Sequence, residues 1–322
     1  MEHLDGPLLL LIAGSLAAII GFVNHRGGTC TVAAVCELFE GKPGRLVALA
    51  EAGLWAFALG MVLKLAGLSL PASDGAPITG RVIAGGLLLG LGAWFNKACL
   101  FGTLAQLGRR NANYLFTLVG LFAGFLAHAA VMANAAIATV PYHTDRAVVL
   151  GAGLLFATSL LSAVWSAAHR GSAKGRQGVT LGHREAVLIH AVAFTLMASI
   201  AGAWTYGDLL SKYAQGSGQP DAIHLLLCCA LLLGALLGGW RTERSESLTL
   251  PKATACFVGG ALLAAGSTLV PGGNDRLILY GAPLLQWHAI TAIAVMIATL
   301  AVCVVGQNLV NALRRNSPSA PV

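Results

Sequence analysis

Long runs of apolar residues constrain this chain more than any other feature of its sequence. Runs of about 20 residues recur along the whole length, and about 20 helical residues cross a hydrocarbon core roughly 30 Å thick. Backbone polar groups find no water at that depth, and the runs lack the alternation of barrel strands, so they must be helices. Charged residues make up only 10% of the chain, against about a quarter in a soluble domain. The sequence therefore predicts an all-α membrane protein.

The apolar runs divide into nine predicted transmembrane helices. They cover approximately residues 7–24, 46–69, 80–97, 114–140, 147–168, 185–204, 221–240, 253–270 and 284–310. The first run is preceded by Met1–Asp5, which is acidic. Because a cleavable signal peptide starts with positive charge, we expect this run to be retained as a span.

The distribution of lysine and arginine predicts the orientation of these spans. Fifteen of the 20 basic residues fall on one side of the predicted membrane and five on the other. Cytoplasmic loops carry the excess of positive charge, so we expect the N-terminus outside and the C-terminus in the cytoplasm. The net charge of +7 does not indicate nucleic-acid binding, because the basic residues lie in short loops and form no cluster on a soluble face.

Four stretches that follow the first, third, sixth and eighth spans are too short to cross the membrane. They start near Gly27, Lys97, Tyr206 and Pro271. Each combines a Gly or Pro break with about two helical turns, which predicts a half-helix. In the last stretch we expect Asn274 and Asp275 to cap the half-helix.

The third and eighth spans resemble each other. A shift of 174 residues without gaps aligns Gly85–Gly92 with Gly259–Gly266, five of eight positions being identical, and places Cys99 on Gly273. Inverted repeats with interrupted helices are typical of transporters, whose binding site lies near the midplane. We therefore predict two inverted four-span repeats joined by one linking helix. The predicted parts are membrane repeat 1 (1–143), a linking helix with a basic cytoplasmic loop (144–184) and membrane repeat 2 (185–322).

Two cysteines, Cys30 and Cys99, stand where predicted half-helices begin. The N-terminus of a half-helix offers free N–H groups and partial positive charge, which suit an anion. A thiol adds a weak donor with a polarisable sulfur, so the pair predicts a low-affinity relay for a soft anion. The alternative is that both cysteines are small residues that permit close packing.

The other cysteines have a simpler interpretation. Cys36 is expected to pack on the opposite face of its short helix from Cys30. The remaining four lie inside apolar runs, where cysteine usually behaves as a small hydrophobe; they are Cys228, Cys229, Cys256 and Cys303. The cysteines show neither a CxxC motif nor a Cys/His pairing with zinc-like spacing, so no metal and no cofactor are expected.

Several polar residues within or beside the spans have two interpretations each. Glu51 is expected at an interface, and Lys64 is expected to extend its amine to the membrane surface. Four others are candidates either for proton relay or for interhelical hydrogen bonds, namely His128, Asn134, His190 and His288. Three basic residues border the cysteine half-helices and either attract anions or only follow the cytoplasmic charge bias, namely His25, Arg26 and Lys97.

The segments around Cys30 and Cys99 resemble the YeeE/YedE integral membrane family of sulphur-transport proteins, which includes bacterial thiosulfate transporters. The resemblance lies in Gly21-Phe22 followed by Arg26, Gly28 and Cys30, in Ala98–Leu104 with Gly108, and in Pro271–Asp275 before a long helix. It implies a multi-pass protein of the bacterial inner membrane that imports thiosulfate along pathway-lining cysteines, two of which match Cys30 and Cys99.

The second half departs from the family pattern. Gly273 and Asn274 stand where the repeat would place a cysteine, and Cys256 lies 17 residues too early. We therefore assign Gly273, Asn274 and Asp275 to the predicted substrate pathway in place of that thiol. The family also implies a cytoplasmic sulphur-carrier protein as partner.

The sequence thus predicts a transporter, not an enzyme, that moves a small inorganic sulphur anion, in the first place thiosulfate, inward through the lipid bilayer. It contains no GxxxxGK[ST] phosphate-binding loop, so an ATP-driven pump would need a partner. One alternative is a transporter for another anion or for a selenium or persulfide species, which Gly273–Asp275 favours. The other is a membrane-embedded thiol enzyme, in which His25 would be the base for Cys30.

Overall fold

The protein is described by a computed structural model, which covers residues 6–68, 75–132, 146–169, 182–216, 222–240 and 246–316. These ranges contain helices and no strands, which confirms the all-α prediction. In chain order the helices are α1 (Pro7–Gly27), α2 (Thr31–Phe39), α3 (Gly44–Leu65), α4 (Gly80–Asn96), α5 (Leu100–Gly108), α6 (Leu115–Met132), α7 (Arg146–His169), α8 (His183–Ala201), α9 (Tyr206–Ala214), α10 (Ala222–Gly238), α11 (Leu250–Leu269), α12 (Asn274–Arg276) and α13 (Trp287–Asn316).

Within the described residues, seven helical segments are long and apolar enough to cross a membrane. They are Pro7–Phe39, Gly44–Leu65, Gly80–Gly108, Ala112–Ala130, His183–Ala201, Leu250–Leu269 and Trp287–Arg315. Two shorter apolar helices, Val149–Ser162 and Ala222–Gly238, lie at the other two predicted positions. The protein is therefore a multi-pass membrane protein in which seven segments meet these criteria, where the sequence predicted nine. Met1–Asp5 and Asn134 lie outside the described residues.

Short helices occur at all four positions where the sequence predicted half-helices. α2, α5 and α9 have nine residues each, and α12 continues into a π-helical stretch at Leu277–Gly281. Each short helix follows a break in which the backbone enters the left-handed region, at Gly28, Lys97, Gly202 and Gly272. Lys97 has a φ of 58°, a conformation uncommon for a residue with a Cβ, and here it ends α4 just before Cys99.

α4 crosses α11 through glycines on both helices. A Cβ added at Gly85 would lie 3.0 Å from the carbonyl oxygen of Gly266, and one added at Gly92 would lie 2.9 Å from that of Gly259. Side chains at these positions would push the helices apart. The contacts are reciprocal, since the first glycine of each aligned segment meets the last glycine of the other. Reciprocal contacts of this kind are typical of elements related by a two-fold axis.

The other helix contacts also come in pairs. In each pair, helices of the first half (residues 7–132) and the second half (residues 183–316) exchange places. α1 packs on α10 as α8 packs on α3, and α6 packs on α11 as α13 packs on α4. The short helices follow the same pattern, because α2 contacts α13 and α9 contacts α6. α7 packs on α3. All of these contacts except that of α7 on α3 join a helix within residues 7–132 to one within residues 183–316.

Candidate functional site

The N-terminal ends of the four short helices meet between the two halves. The backbone N–H of Thr31 in α2 points at Sγ of Cys99, 3.3 Å away. The backbone N–H of Leu100 in α5 donates to Oδ1 of Asn274 in α12, at 3.1 Å. Tyr206 in α9 donates its hydroxyl to the carbonyl of Leu100, at 2.7 Å. These contacts join segments far apart in the sequence, so the fold itself assembles the site.

The two predicted cysteines lie side by side in this convergence. Cys30 is the N-cap residue of α2 and Cys99 that of α5, and neither side chain makes a capping hydrogen bond. Their sulfur atoms are 3.8 Å apart, the Cys99 thiol being the donor. Cys99 is fully buried and Cys30 partly buried. The Cys99 sulfur therefore contacts both the N-terminus of α2 and the Cys30 thiol.

Gly102, in the first turn of α5, permits the approach of the two thiols. A Cβ added there would lie 2.6 Å from Sγ of Cys30 and 2.9 Å from Cβ of Ala98. Any side chain at this position would have to displace the Cys30 thiol. Because glycine has no side chain, the Cys30 thiol can approach Cys99.

A buried polar network holds the chain breaks in place. Asn24 donates to a carbonyl of α5 at 2.8 Å and accepts a hydrogen bond from the Thr29 hydroxyl. Asn96 donates to the carbonyl of Ala98 at 2.8 Å and accepts from the Thr117 hydroxyl at 2.6 Å. Neither Asn24 nor Asn96 was among the residues predicted from the sequence. The signal for them was an uncharged polar residue at the end of an apolar span, just before a break.

Asn274 and Asp275 do not cap their own half-helix, so that prediction was wrong. The N-cap residue of α12 is Gly273, which makes no side-chain capping bond. Asn274 instead accepts from α5 in the other half, and Oδ1 of Asp275 accepts from the backbone N–H of Arg276 at 2.9 Å. Asn274 and Leu100 are the residues that the shift of 174 aligns, so the two half-helices meet at equivalent positions.

Four buried side-chain atoms in the described part of the chain have no hydrogen-bond partner, and all four surround this convergence. They are Oγ1 of Thr31, Nδ2 of Asn274, Nδ1 of His190 and Nε1 of Trp204. A buried polar atom without a partner is costly, so each of these atoms needs a water molecule or a ligand to satisfy it. The amide nitrogen of Asn274 and the indole N–H of Trp204 only donate, and the Thr31 hydroxyl can donate. This set of groups suits an anion.

His190 and Trp204 line a cavity beside α5. The cavity lies among α1, α5, α8, α10 and the start of α9. Its walls are mostly apolar, and their polar groups come from His190, Trp204, Thr205, Tyr206 and Asp275. Because Asp275 follows Asn274 directly, the cavity lies beside the convergence of short helices.

Cys256 lies closer to the site than its sequence position suggested. It forms a buried cluster with Ala98 and Tyr114, against which Cys30 packs. The sequence treated Cys256 as a small hydrophobe within a span, because only the packing of α11 brings it to this side. Cys36 and Cys228 are partly buried against the core, in line with the packing role predicted for them.

The three basic residues at the predicted cytoplasmic end make contacts with groups other than the two thiols. His25 is buried, and its Nδ1 lies 2.9 Å from the carbonyl of Ala105 near the end of α5. Arg26 and Lys97 are exposed, and the Lys97 amine lies 3.9 Å from the centre of the Trp94 ring. The structure therefore gives His25 a hydrogen bond to α5 and not the contact with Cys30 that the thiol-enzyme alternative would need.

The other polar candidates have structural partners. Glu51 pairs with Arg184 at 2.7 Å, joining α3 to α8, a partner that the sequence did not reveal. Nδ1 of His288 accepts from the backbone N–H of Ala76 at 3.1 Å. His128 is partly buried on α6, and Lys64 is exposed near the end of α3. None of these contacts reaches the two thiols.

Comparison with known proteins identifies the family to which the chain belongs. No match is found among curated proteins. The family model described as sulphur transport matches residues 26–302, a stretch that contains Cys30, Cys99 and Asn274. The match covers most of the chain and confirms the resemblance noted in the sequence. The protein belongs to the sulphur transport family, the YeeE/YedE family.

Proposed function

We propose that this protein imports thiosulfate across the bacterial inner membrane by passing the ion along pathway-lining thiols. Membership of a sulphur transport family and several membrane-spanning helices support a sulphur-related transporter. The observation that carries the finer proposal is the pair of thiols 3.8 Å apart at two half-helix N-termini. Two buried groups that have no partner among the described residues, the Thr31 hydroxyl and the Asn274 amide nitrogen, belong to residues that contact Cys99 and Leu100.

The site offers two kinds of interaction, and thiosulfate has two kinds of atom. Its sulfonate oxygens are strong acceptors, which suit backbone N–H groups, the Asn274 amide and the partial positive charge of helix N-termini. Its terminal sulfur is soft and polarisable, which suits a thiol. Thiol hydrogen bonds are weak, so the ion also leaves readily.

The short distance between the thiols suits a stepwise transfer. An ion bound by Cys99 can contact Cys30 before it leaves Cys99, so no fully unbound state arises between the two positions. Gly273 and Asn274 complete the first position from the second half of the protein. Cys256 and Tyr114 belong to the buried cluster against which Cys30 packs, and we assign them to the route out of the site.

We also infer that the two halves are inverted repeats with the site at their interface. The reciprocal glycine contacts of α4 and α11 support this, as does the hydrogen bond between Leu100 and Asn274, residues separated by 174 positions. Interrupted helices whose N-termini point at an anion are a known device of inverted-repeat transporters. The repeats then correspond to 1–143 and 185–322, with 144–184 as the link.

The orientation completes the proposal. The N-terminus lies outside and the C-terminus in the cytoplasm, as the distribution of basic residues predicts. Released thiosulfate would meet a cytoplasmic sulphur-carrier protein on the basic side. The basic residues there, Arg26 and Lys97 among them, raise the local concentration of anions.

The test is uptake of radiolabelled thiosulfate into cells that lack other routes for it. We expect Cys99→Ala to abolish or severely reduce uptake at normal membrane abundance, and Cys30→Ala to impair it as well. Cys99→Ser keeps a donor but loses the soft sulfur, so its uptake should fall between wild type and alanine, nearer to alanine. Cys303→Ala in α13 is the matched control and should transport normally. Wild-type rates in both Cys99→Ala and Cys30→Ala would show that the cysteine relay is wrong.

A transporter for another oxyanion is the second candidate. It is favoured by Asn274, which follows Gly273, the position where the repeat would place a thiol, and whose Nδ2 has no partner within the described residues. An amide N–H prefers a hard oxygen acceptor to a soft sulfur. Competition by unlabelled sulfite, sulfate and selenite against labelled thiosulfate separates the two candidates, because a thiosulfate carrier should be inhibited by thiosulfate at the lowest concentration.

A further inference from the structure

Asp275 is a buried carboxylate with no ion-pair partner in the described part of the chain. It is 4% exposed and lies in the wall of the cavity that His190 and Trp204 also line. Its Oδ1 accepts the backbone N–H of Arg276, but the Arg276 guanidinium pairs with Asp208, at 3.2 Å. A carboxylate in such surroundings carries a high cost for its charge.

The same carboxylate lies next to the place where the anion is proposed to bind. Asp275 follows Asn274, whose side chain accepts from Leu100 one residue after Cys99. A Cβ added at Gly273 would lie 2.6 Å from Oδ1 of Asp275 and would also meet the Leu100 side chain. The Asp275 carboxylate and the Leu100 side chain at the start of α5 therefore lie on either side of Gly273, in the space that a side chain there would occupy. Two negative charges this close repel each other strongly in a medium of low dielectric constant.

We propose that Asp275 binds a proton that crosses the membrane together with the anion, so that import is anion–proton cotransport. This inference rests on the proposed function. Protonation removes the charge that repels the anion, and by linkage a bound anion favours the protonated carboxyl to the same degree. The proton comes from water on the outer side and is released to the cytoplasm with the anion. No covalent bond of the anion changes.

Two titratable neighbours of Asp275 already have hydrogen-bond or ion-pair partners, so we assign the proton to Asp275. Asp208 is held by Arg276 and by a capping box with Thr205, and Tyr206 already donates to Leu100. α1 and α10 present apolar side chains to the cavity. The titratable or charged groups that face the carboxylate are His190 from α8, Tyr206 and Asp208 from α9, Cys99 before α5 and Arg276 on its own segment. His190 is the rival site, because its Nδ1 has no partner.

The experiment uses the purified full-length protein in liposomes, with the membrane potential held at zero by potassium and valinomycin. Acid outside should accelerate uptake of labelled thiosulfate by roughly 5-fold or more, the range usual for coupled sites. Asp275→Asn keeps the size of the side chain but holds no proton. It should bind thiosulfate and exchange it across the membrane, yet show no response to the pH gradient. Glu246→Gln, at an exposed ion pair, is the control and should respond like wild type.

Each other outcome has a defined meaning. If wild type transports thiosulfate without responding to the pH gradient, or if Asp275→Asn keeps the response, the inference is wrong. It is also wrong if His190→Gln loses the response while Asp275→Asn keeps it. Should Asp275→Asn fail to fold, a pH dye inside wild-type liposomes decides, since thiosulfate must then acidify the interior. If wild type neither binds nor transports thiosulfate, the proposed function itself fails.

Discussion

At the scale of single residues, chain breaks give the site its most predictable members. Cys30 and Cys99 could be identified from the sequence because each stands beside a local break, at Gly28 and Lys97. Trp204, His190 and Cys256 could not be assigned to the site in the same way. Their places depend on which helices pack together, and hydropathy along one chain does not contain that information.

Gly102 provides a prediction at this scale. Gly102→Ala would place a methyl group 2.6 Å from Sγ of Cys30, and such overpacking typically costs about 1–3 kcal/mol. We expect the Cys30 thiol to move away from Cys99 and thiosulfate uptake to fall severalfold, while most of the protein still reaches the membrane. Uptake and membrane abundance are measured together.

Gly14→Ala is the matched control for this substitution, because nothing lies within 4 Å of a Cβ at that position. It should leave uptake unchanged. Equal uptake in Gly102→Ala and Gly14→Ala would mean that the close approach of the two thiols does not matter for transport.

At the scale of helices, the sequence predicted where elements start and stop better than how they support one another. All four short helices follow the spans after which they were expected, because a Gly or Pro break and a change in hydropathy are local signals. The capping of α12 was predicted wrongly, because Asn274 serves α5 from the opposite half. A hydrogen bond across 174 residues leaves no local trace.

The contact between α5 and α12 gives a prediction about stability. Asn274→Ala would leave the buried N–H of Leu100 without its acceptor, which costs about 1–3 kcal/mol. We expect a lower midpoint of thermal unfolding in detergent, together with reduced uptake. Asn308→Ala on the exposed side of α13 is the control and should unfold like wild type. If the two variants unfold at the same temperature, the hydrogen bond between the halves contributes nothing to stability.

At the scale of the whole molecule, charge and packing together constrain the arrangement in the membrane. The end of α1 meets the start of α8 through a hydrogen bond of 2.6 Å between His183 and the carbonyl of Gly27. The start of α3 meets the same region, since Arg45 donates to the carbonyl of Gly28 at 2.7 Å. These three helix ends all belong to the side on which the sequence places fifteen of the 20 basic residues.

The last prediction tests which side of the membrane this is. Basic residues are retained in the cytoplasm during insertion, so a fluorescent protein fused to the C-terminus should fold and fluoresce there. Alkaline phosphatase is active only outside the cytoplasm, so a fusion after residue 143 should be active and one after residue 175 inactive. The positions lie before and after α7, and opposite results at them require that α7 crosses the membrane. Equal activity at both positions would remove that crossing, and the second half would then not be inverted relative to the first. The reverse pattern would keep the crossing but would place the basic residues outside.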